Sequence, residues 1–341
     1  MITRQHFVRG LGLLGLGSAA LPEAWANTDK VLRLGTLAGK NSLYHRQLLE
    51  LCEVWRNAQG GQAKALVFPD GSQGGEAEMA RRMRIGQLQG ALLSVVGLRE
   101  LEPSIAALQN MPLLFRSWQE VDHVREKLRP AMEKRFLDKG FVVLAWGDAG
   151  WVRFFSKEPA LRPDDYKKMK FFAWGAEPEQ QAIMKSLGYT PVPLETSDIL
   201  PAMQTGMITV VPSTPYFALA SQIYNTAGNM LELNWAPIVG ALVLTRKAWD
   251  EIPAAGQEAL RAAADKAGVQ MRAKARQEVD DAVEAMSKRG LKVNRPNAGQ
   301  LREWQDMADK LYPRIRGTMV PADTFDEVMA HLKAYRAAAG Q

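Results

Sequence analysis

From Val31 onward, short apolar runs alternate with longer stretches whose apolar residues recur every three to four positions. Val31 to Leu37 reads as a buried strand. The polar turn Gly39-Lys40-Asn41-Ser42 and an amphipathic helix through Trp55 follow it. Ala63 to Phe68 predicts a second strand, Pro69 to Gly75 a loop, Glu76 to Gly86 a helix and Gly90 to Val96 a third strand. That order is the β/α alternation of an open α/β sheet. Ligands of such sheets sit outside the carboxyl ends of the strands, here the loops starting near Gly39, Pro69 and Ser94.

Phe141 to Trp146 and Trp151 to Phe155 read as two further strands, separated by Gly147-Asp148-Ala149-Gly150, where the chain is expected to cross into a second lobe. A helix over Tyr216 to Ala227 and a return crossing near Leu231 to Pro237 follow. Val239 to Thr245 is a further apolar strand. Pro253 to Arg289 is the longest helical stretch, rich in Ala, Glu, Gln, Lys and Arg and closed by Gly290. Its apolar positions, including Leu260, Ala264, Val269, Met271 and Val279, keep no heptad, which favours an intramolecular helix over a dimerising coiled coil. The chain reads as a monomer or homodimer. Two crossings make a hinged clamp. Residues 27–147 and 236–252 are expected to form one lobe and 148–235 and 290–341 the other, with 253–289 spanning both.

The 341 residues suffice for two such lobes. Arg4 and Arg9, the apolar Leu11 to Leu21 and Ala24-Trp25-Ala26 have the three regions of a secretory signal, with export and cleavage after Ala26 expected. The apolar run is short of the roughly 20 residues a membrane anchor needs. Thr3-Arg4-Gln5-His6-Phe7 is similar to a twin-arginine signal with Gln for the second Arg, so the export route stays open. Cys52 is the one cysteine, which excludes an intramolecular disulfide and is most simply a buried helical residue. The formal charge of +6 is mild, and no aromatic-interleaved basic stripe accompanies Arg81, Arg82 and Arg84, so nucleic acid is excluded as a partner. His45, His123 and His331 have no metal-ligand spacing, and no nucleophile elbow or phosphate loop occurs. Asp164-Asp165 is explained by a turn. No metal or cofactor is expected.

Pro163 to Gly206 runs from a Pro-Asp-Asp turn through the apolar Phe171-Phe172-Ala173-Trp174, a helix ending Leu187-Gly188 and Pro191-Val192-Pro193 to Ala202-Met203-Gln204-Thr205-Gly206. This block resembles the signature of the periplasmic solute-binding proteins of tripartite ATP-independent periplasmic (TRAP) transporters, the DctP-type family. Phe68 to Glu76, Gly86 to Ser94 and Met111 to Phe115 are similar to other landmarks of that family, in the same order. The resemblance implies a two-lobe clamp that captures a small organic ligand and delivers it to TRAP membrane subunits, without catalysis.

The departures from the family pattern bear on the ligand. Carboxylate-binding members typically carry one Arg two residues after the Lys of the signature, where this chain has Phe172, and another at the place of Val152. The stretch after Gly206 reads Thr209-Val210-Val211-Pro212-Ser213 instead of Asp-Gly-x-Glu-Asn. Neither Phe nor Val offers the planar fork that holds a carboxylate. A largely apolar or aromatic ligand, and not a simple dicarboxylate, is expected. Strand alternation directs Phe172 and Trp174 to one face, with Trp151 beside them, either as pocket wall or as lobe core. Asn41, Ser94, Ser213 and Thr214 are expected to supply neutral hydrogen bonds. Two alternatives remain: a monocarboxylate held by Arg153 or a lysine, although strand alternation turns Arg153 from the cleft, and a secreted α/β enzyme acting on a hydrophobic substrate.

Overall fold

A computed structural model describes residues 31–61 and 63–340; the signal sequence expected over 1–26 lies outside them. The first part of the chain forms β1 (Val31–Thr36), α1 (Leu43–Ala58), β2 (Lys64–Phe68), α2 (Glu76–Arg84), β3 (Gly90–Ser94), α3 (Val95–Leu101), α4 (Trp118–Asp138) and β4 (Phe141–Trp151). The middle forms β5 (Arg153–Ser156), β6 (Lys170–Trp174), α5 (Pro178–Ser186), β7 (Thr190–Leu194), α6 (Ile199–Thr205), β8 (Val210–Ser213), α7 (Pro215–Ala220) and β9 (Asn229–Leu231). The remainder forms β10 (Pro237–Thr245), α8 (Arg246–Asp250), α9 (Ala254–Ser287), β11 (Lys292–Asn294), α10 (Ala298–Ile315) and α11 (Ala322–Ala338).

Two mixed sheets result, and each is the centre of a lobe. The first has the order β2-β1-β3-β10-β4, and the second β11-β9-β5-β8-β6-β7. β1 pairs in parallel with β2 and β3, as the early β/α alternation requires, while β10 returns antiparallel between β3 and β4. Both faces of each sheet are covered. Leu32, Leu34 and Leu242 pack with α1 and α9, and Ala91, Leu93 and Val243 pack with α2 to α4. In the second sheet Phe155, Phe172 and Val211 face α6, while Phe154, Phe171 and Val210 face Trp304 of α10.

The chain leaves the first sheet at Val152, later than the Gly147 to Gly150 segment suggests. Gly147, Asp148 and Gly150 stay in β4, paired with Gly240, Val239 and Ile238 of β10 respectively. Ala149 is the extra residue of a bulge, and Gly150 takes φ of +105°, a left-handed conformation that suits glycine. The glycines thus bend a strand without ending it. The return strand runs alongside the outgoing one at the hinge: Val152 N–H donates to Ala236 O at 2.8 Å and Trp235 N–H to Val152 O at 2.9 Å.

α9, 34 residues long, touches both lobes. Leu260, Ala264 and Met271 pack in the first-lobe core and Met286 in the second. Val269 is 56 % exposed and belongs to neither. Gly268 lets the helix approach β4, since a Cβ there would lie 2.8 Å from Trp146 O. Gly268→Ala should gain about 1 kcal/mol of helix propensity. It should lose about 1–3 kcal/mol to overpacking, because a carbonyl in a paired strand cannot retreat. A net drop in the urea midpoint is expected.

The segment 290–341 is divided between the lobes. β11 pairs with β9, and Trp304 of α10 packs on Phe154 at 5.6 Å between ring centres, both in the second lobe. Leu311, Ile315, Phe325, Val328 and Leu332 join the first-lobe core, and Tyr312 OH donates to Pro112 O at 2.8 Å. At 18 residues α10 spans about 27 Å, enough to bridge both. Among the described residues no helix is long and apolar enough to cross a membrane.

Candidate functional site

A cleft of about 1070 Å³ opens between the lobes. The loops after β1, β2 and β3 contribute the first-lobe wall, as expected for carboxyl ends of strands. The ends of β6 and β8 and the residues before β10 contribute the second.

Six of the eight residues singled out from sequence line this cleft: Asn41, Ser94, Phe172, Trp174, Ser213 and Thr214. Phe172 and Trp174 do share a face, with ring centres 4.9 Å apart in edge-to-face contact. Phe172 is both wall and core, for it is 3 % exposed and packs on Ile199 and Met203 behind the cleft surface. Val152 and Phe154 also line the cleft, so positions 152 and 172, where the resemblance leads one to expect Arg, both present apolar side chains here.

Trp151 and Arg153 are not on the wall. Trp151 is the last residue of β4 and packs on Trp118 in the first-lobe core, the ring centres 4.8 Å apart and the planes tilted by 43°. The bulge at Ala149 shifts the strand's alternation and sends the indole behind the hinge. Arg153 falls between the cleft-lining Val152 and Phe154, so strand alternation turns it outward, where Nε lies 3.4 Å from Asn234 Oδ1. Burial pulls the guanidinium pKa down, with Glu232 and Asp280 opposing it.

The neutral donors differ in what they have left to give. Ser94 accepts from Val96 N–H as the cap of α3 and donates to Glu76 Oε2 at 2.5 Å, so its hydroxyl is spent within the protein. Thr214 caps α7 by accepting from Phe217 N–H at 3.3 Å, which leaves its own proton available. Asn41 holds a left-handed φ of +66°, and its N–H donates to His45 Nδ1 at 3.2 Å.

Acidic groups on the wall carry no comparable signal in the sequence. Glu76, at the start of α2, accepts from Ser94 N–H at 2.8 Å and Gly97 N–H at 3.0 Å as well as from the Ser94 hydroxyl. Burial nevertheless pushes its carboxyl above the usual range. Glu177 is also pushed up by burial, against the pull of Arg99 at 3.4 Å. Glu195, raised by burial and by Asp198, rests against Gly75, where a Cβ would come within 2.2 Å of its Oε2. Glu76 falls within the Phe68 to Glu76 segment and Glu177 and Glu195 within Pro163 to Gly206, yet residue type and spacing do not mark any of the three as a wall residue; Glu177 and Glu195 gather only when β6 and β7 pair.

Asp148 lies at the hinge with a fully buried side chain. It accepts from Arg125 Nη1 at 2.8 Å and from Arg276 Nε at 3.1 Å and Nη2 at 2.5 Å. The Tyr44 hydroxyl donates to its carbonyl at 2.8 Å, and burial pushes that phenol far above its ordinary pKa.

Contacts across the cleft mouth hold the lobes together. Arg99 of α3 reaches Glu177 at 3.4 Å and Glu179 at 3.3 Å in the other lobe. Arg99→Ala should leave the 2 % exposed Glu177 carboxyl without its cation when the clamp is shut. A shift of about 1–3 kcal/mol toward the open form is expected. Small-angle scattering of ligand-free protein checks it, and an unchanged radius of gyration would count against this latch.

Among the described residues no cluster of His, Cys, Asp and Glu suited to a metal ion occurs. Asp165 accepts from Leu161 and Arg162 N–H, as a turn residue does, and Asp164 pairs with Lys167 at 2.7 Å. Neither Asp lines the cleft.

Known proteins share this architecture. A TRAP periplasmic solute-binding protein of Ralstonia eutropha with bound (S)-2-acetolactate superposes with a TM-score of 0.81 at 18 % identity, covering 89 % of this chain and 99 % of that one. One from Sulfitobacter sp. NAS-14.1 with bound β-D-galacturonate gives 0.79 at 18 % identity, covering 88 % and 98 %. In sequence, the C4-dicarboxylate-binding periplasmic protein DctP of Rhodobacter capsulatus is 21 % identical over 283 residues, 82 % of this chain and 84 % of that protein. Residues 34–317 match the family model for DctP, bacterial extracellular solute-binding protein family 7, and the chain is a member of that family.

Proposed function

We propose that this protein, exported with cleavage after Ala26, captures a small, largely apolar or aromatic organic ligand in the periplasm and delivers it to TRAP membrane subunits. The observation that carries the reading is the cleft wall, lined by Val152, Phe154, Phe172 and Trp174 around a space large enough for a whole small molecule. Such side chains contribute on the order of 1.5–3 kcal/mol each when a ligand encloses them. Thr214 and Asn110 line the cleft and would orient the ligand through neutral hydrogen bonds. Ligand binding would favour closure only by its preference for the shut form, to which both walls contribute.

The cleft is read as having no catalytic role: Ser94, which donates to Glu76 on its wall, also caps α3, and both bonds hold it in the fold. Native mass spectrometry of protein purified directly from the periplasm tests the reading. A co-purified, chemically unchanged apolar or aromatic molecule is expected. A simple C4 dicarboxylate in that position would overturn the ligand class, and a mixture of substrate and product would overturn the absence of turnover.

A further inference from the structure

The relatives with known ligands named above hold organic acids, yet the charge on this cleft runs the other way. Lys40, exposed at the rim, is the one cationic side chain lining it among the described residues. Against it stand Asp70, Glu76, Asp148, Glu177 and Glu195. Asp148 is neutralised from behind by Arg125 and Arg276, and Glu177 by Arg99. Glu76 and Glu195 have no ion-pair partner among the described residues, and they come from opposite lobes. A bound anion would add a like charge to this wall, whereas a cation would supply the missing counter-charge as the lobes shut.

A second observation points to a ligand in the same place. Asn110, 8 % exposed and on the cleft wall, has a buried side-chain Nδ2 with no hydrogen-bond partner within 3.5 Å among the described residues, Glu177 lying just beyond. A buried donor left unmade is costly, and a neutral acceptor oxygen on the ligand would satisfy it. Phe172 and Trp174 on the cleft wall suit an apolar body, and aromatic faces attract a cation.

Resting on the solute-binding reading above, we propose that the cleft takes a small organic ammonium: a cationic amine on an apolar body, carrying a neutral acceptor oxygen. Glu76 and Glu195 receive the ammonium from the two lobes, Asn110 donates to the acceptor, and Phe172 and Trp174 bound the body. Specificity against acids follows from repulsion on the wall as well as from attraction for the amine.

Calorimetric titration with matched probes tests this. Phenylethanolamine, the hydroxyphenylpropanoate with carboxylate in place of the ammonium, and phenylpropanol share one skeleton and differ in charge; their cyclohexyl counterparts vary the body. An amine is expected to bind at least tenfold more tightly than its acid and alcohol, with the advantage shrinking as salt rises. Glu195→Gln should cut that advantage severalfold. Because the Glu195 side chain makes no hydrogen bond among the described residues, this variant keeps the test open if Glu76→Gln, which disturbs three bonds, fails to fold. An acid or alcohol that binds as well as its amine, no binding by any amine, or an unchanged preference in Glu195→Gln would each overturn the proposal. A carried anion found by native mass spectrometry overturns the ammonium while leaving the solute-binding reading intact; no carried solute together with no probe binding removes both.

Discussion

Asp148→Asn is expected to lower stability by about 3–5 kcal/mol, the cost of leaving a buried cation without its partner. The Asp148 side chain is fully buried, and Arg125 is 2 % exposed, so neither can turn to water when the other is lost. Arg276 lies over the Trp118 ring at 4.6 Å and also pairs with Asp122 at 2.7 Å, which joins α4, α9 and the hinge end of β4 in one network. An amide in place of the carboxylate keeps the volume and removes the charge, so the loss is electrostatic and not a cavity effect. A fall in melting temperature on the order of 10 °C should follow. Asp122→Asn should cost less, because that side chain is 38 % exposed. Burial pushes the Asp122 carboxyl up, but the Arg276 bond and the Arg125 charge outweigh it and its pKa is lowered. Its stabilisation is therefore complete above the ordinary aspartate range and is lost as pH falls through the lowered value. Calorimetric melting of the two variants checks the order, and equal losses would mean that burying the Asp148 charge does not set the cost.

Phe172→Ala should destabilise by about 3–5 kcal/mol and weaken ligand binding by about 10- to 100-fold. Both effects come from one ring, since it packs on Ile199 and Met203 while its neighbour Trp174 reaches the cleft beside it. Titration below the melting temperature separates them. Arg153→Ala should leave affinity unchanged, because its guanidinium lies toward Asn234 and outside the cleft. A reversed pattern, with binding lost in Arg153→Ala and kept in Phe172→Ala, would favour a carboxylate ligand and sink the apolar reading.

Much of the frame is legible along the chain. The period of apolar residues marks β1, α1, β2 and β3 almost at their observed limits, and Cys52 sits buried in α1 as its helical surroundings imply. The long helix is visible because no Pro or closing glycine interrupts residues 254–287. The glycines before Trp151 point to a crossing two or more residues too early, because composition does not distinguish a bulge inside a paired strand from a loop between strands. The allocation of 290–341 is hidden for a related reason: one apolar stripe on α10 serves two cores, Trp304 in one and Leu311 and Ile315 in the other, and the stripe carries no label for which.

The sequence by itself determined the α/β alternation, the family landmarks and the apolar character of the positions 152 and 172, since these depend on residue type and local periodicity. The tertiary structure alone decided which groups face one another: that Trp151 and Arg153 turn from the cleft, that Arg125 and Arg276 are consumed by Asp148, and that Glu76 and Glu195 meet the cleft without cations among the described residues. Local sequence sets which way a side chain leaves its strand only while the register is regular. Whether a charge is paired depends on residues that only folding brings near: Arg276, 128 positions from Asp148, comes within 3.1 Å of it when α9 packs on β4.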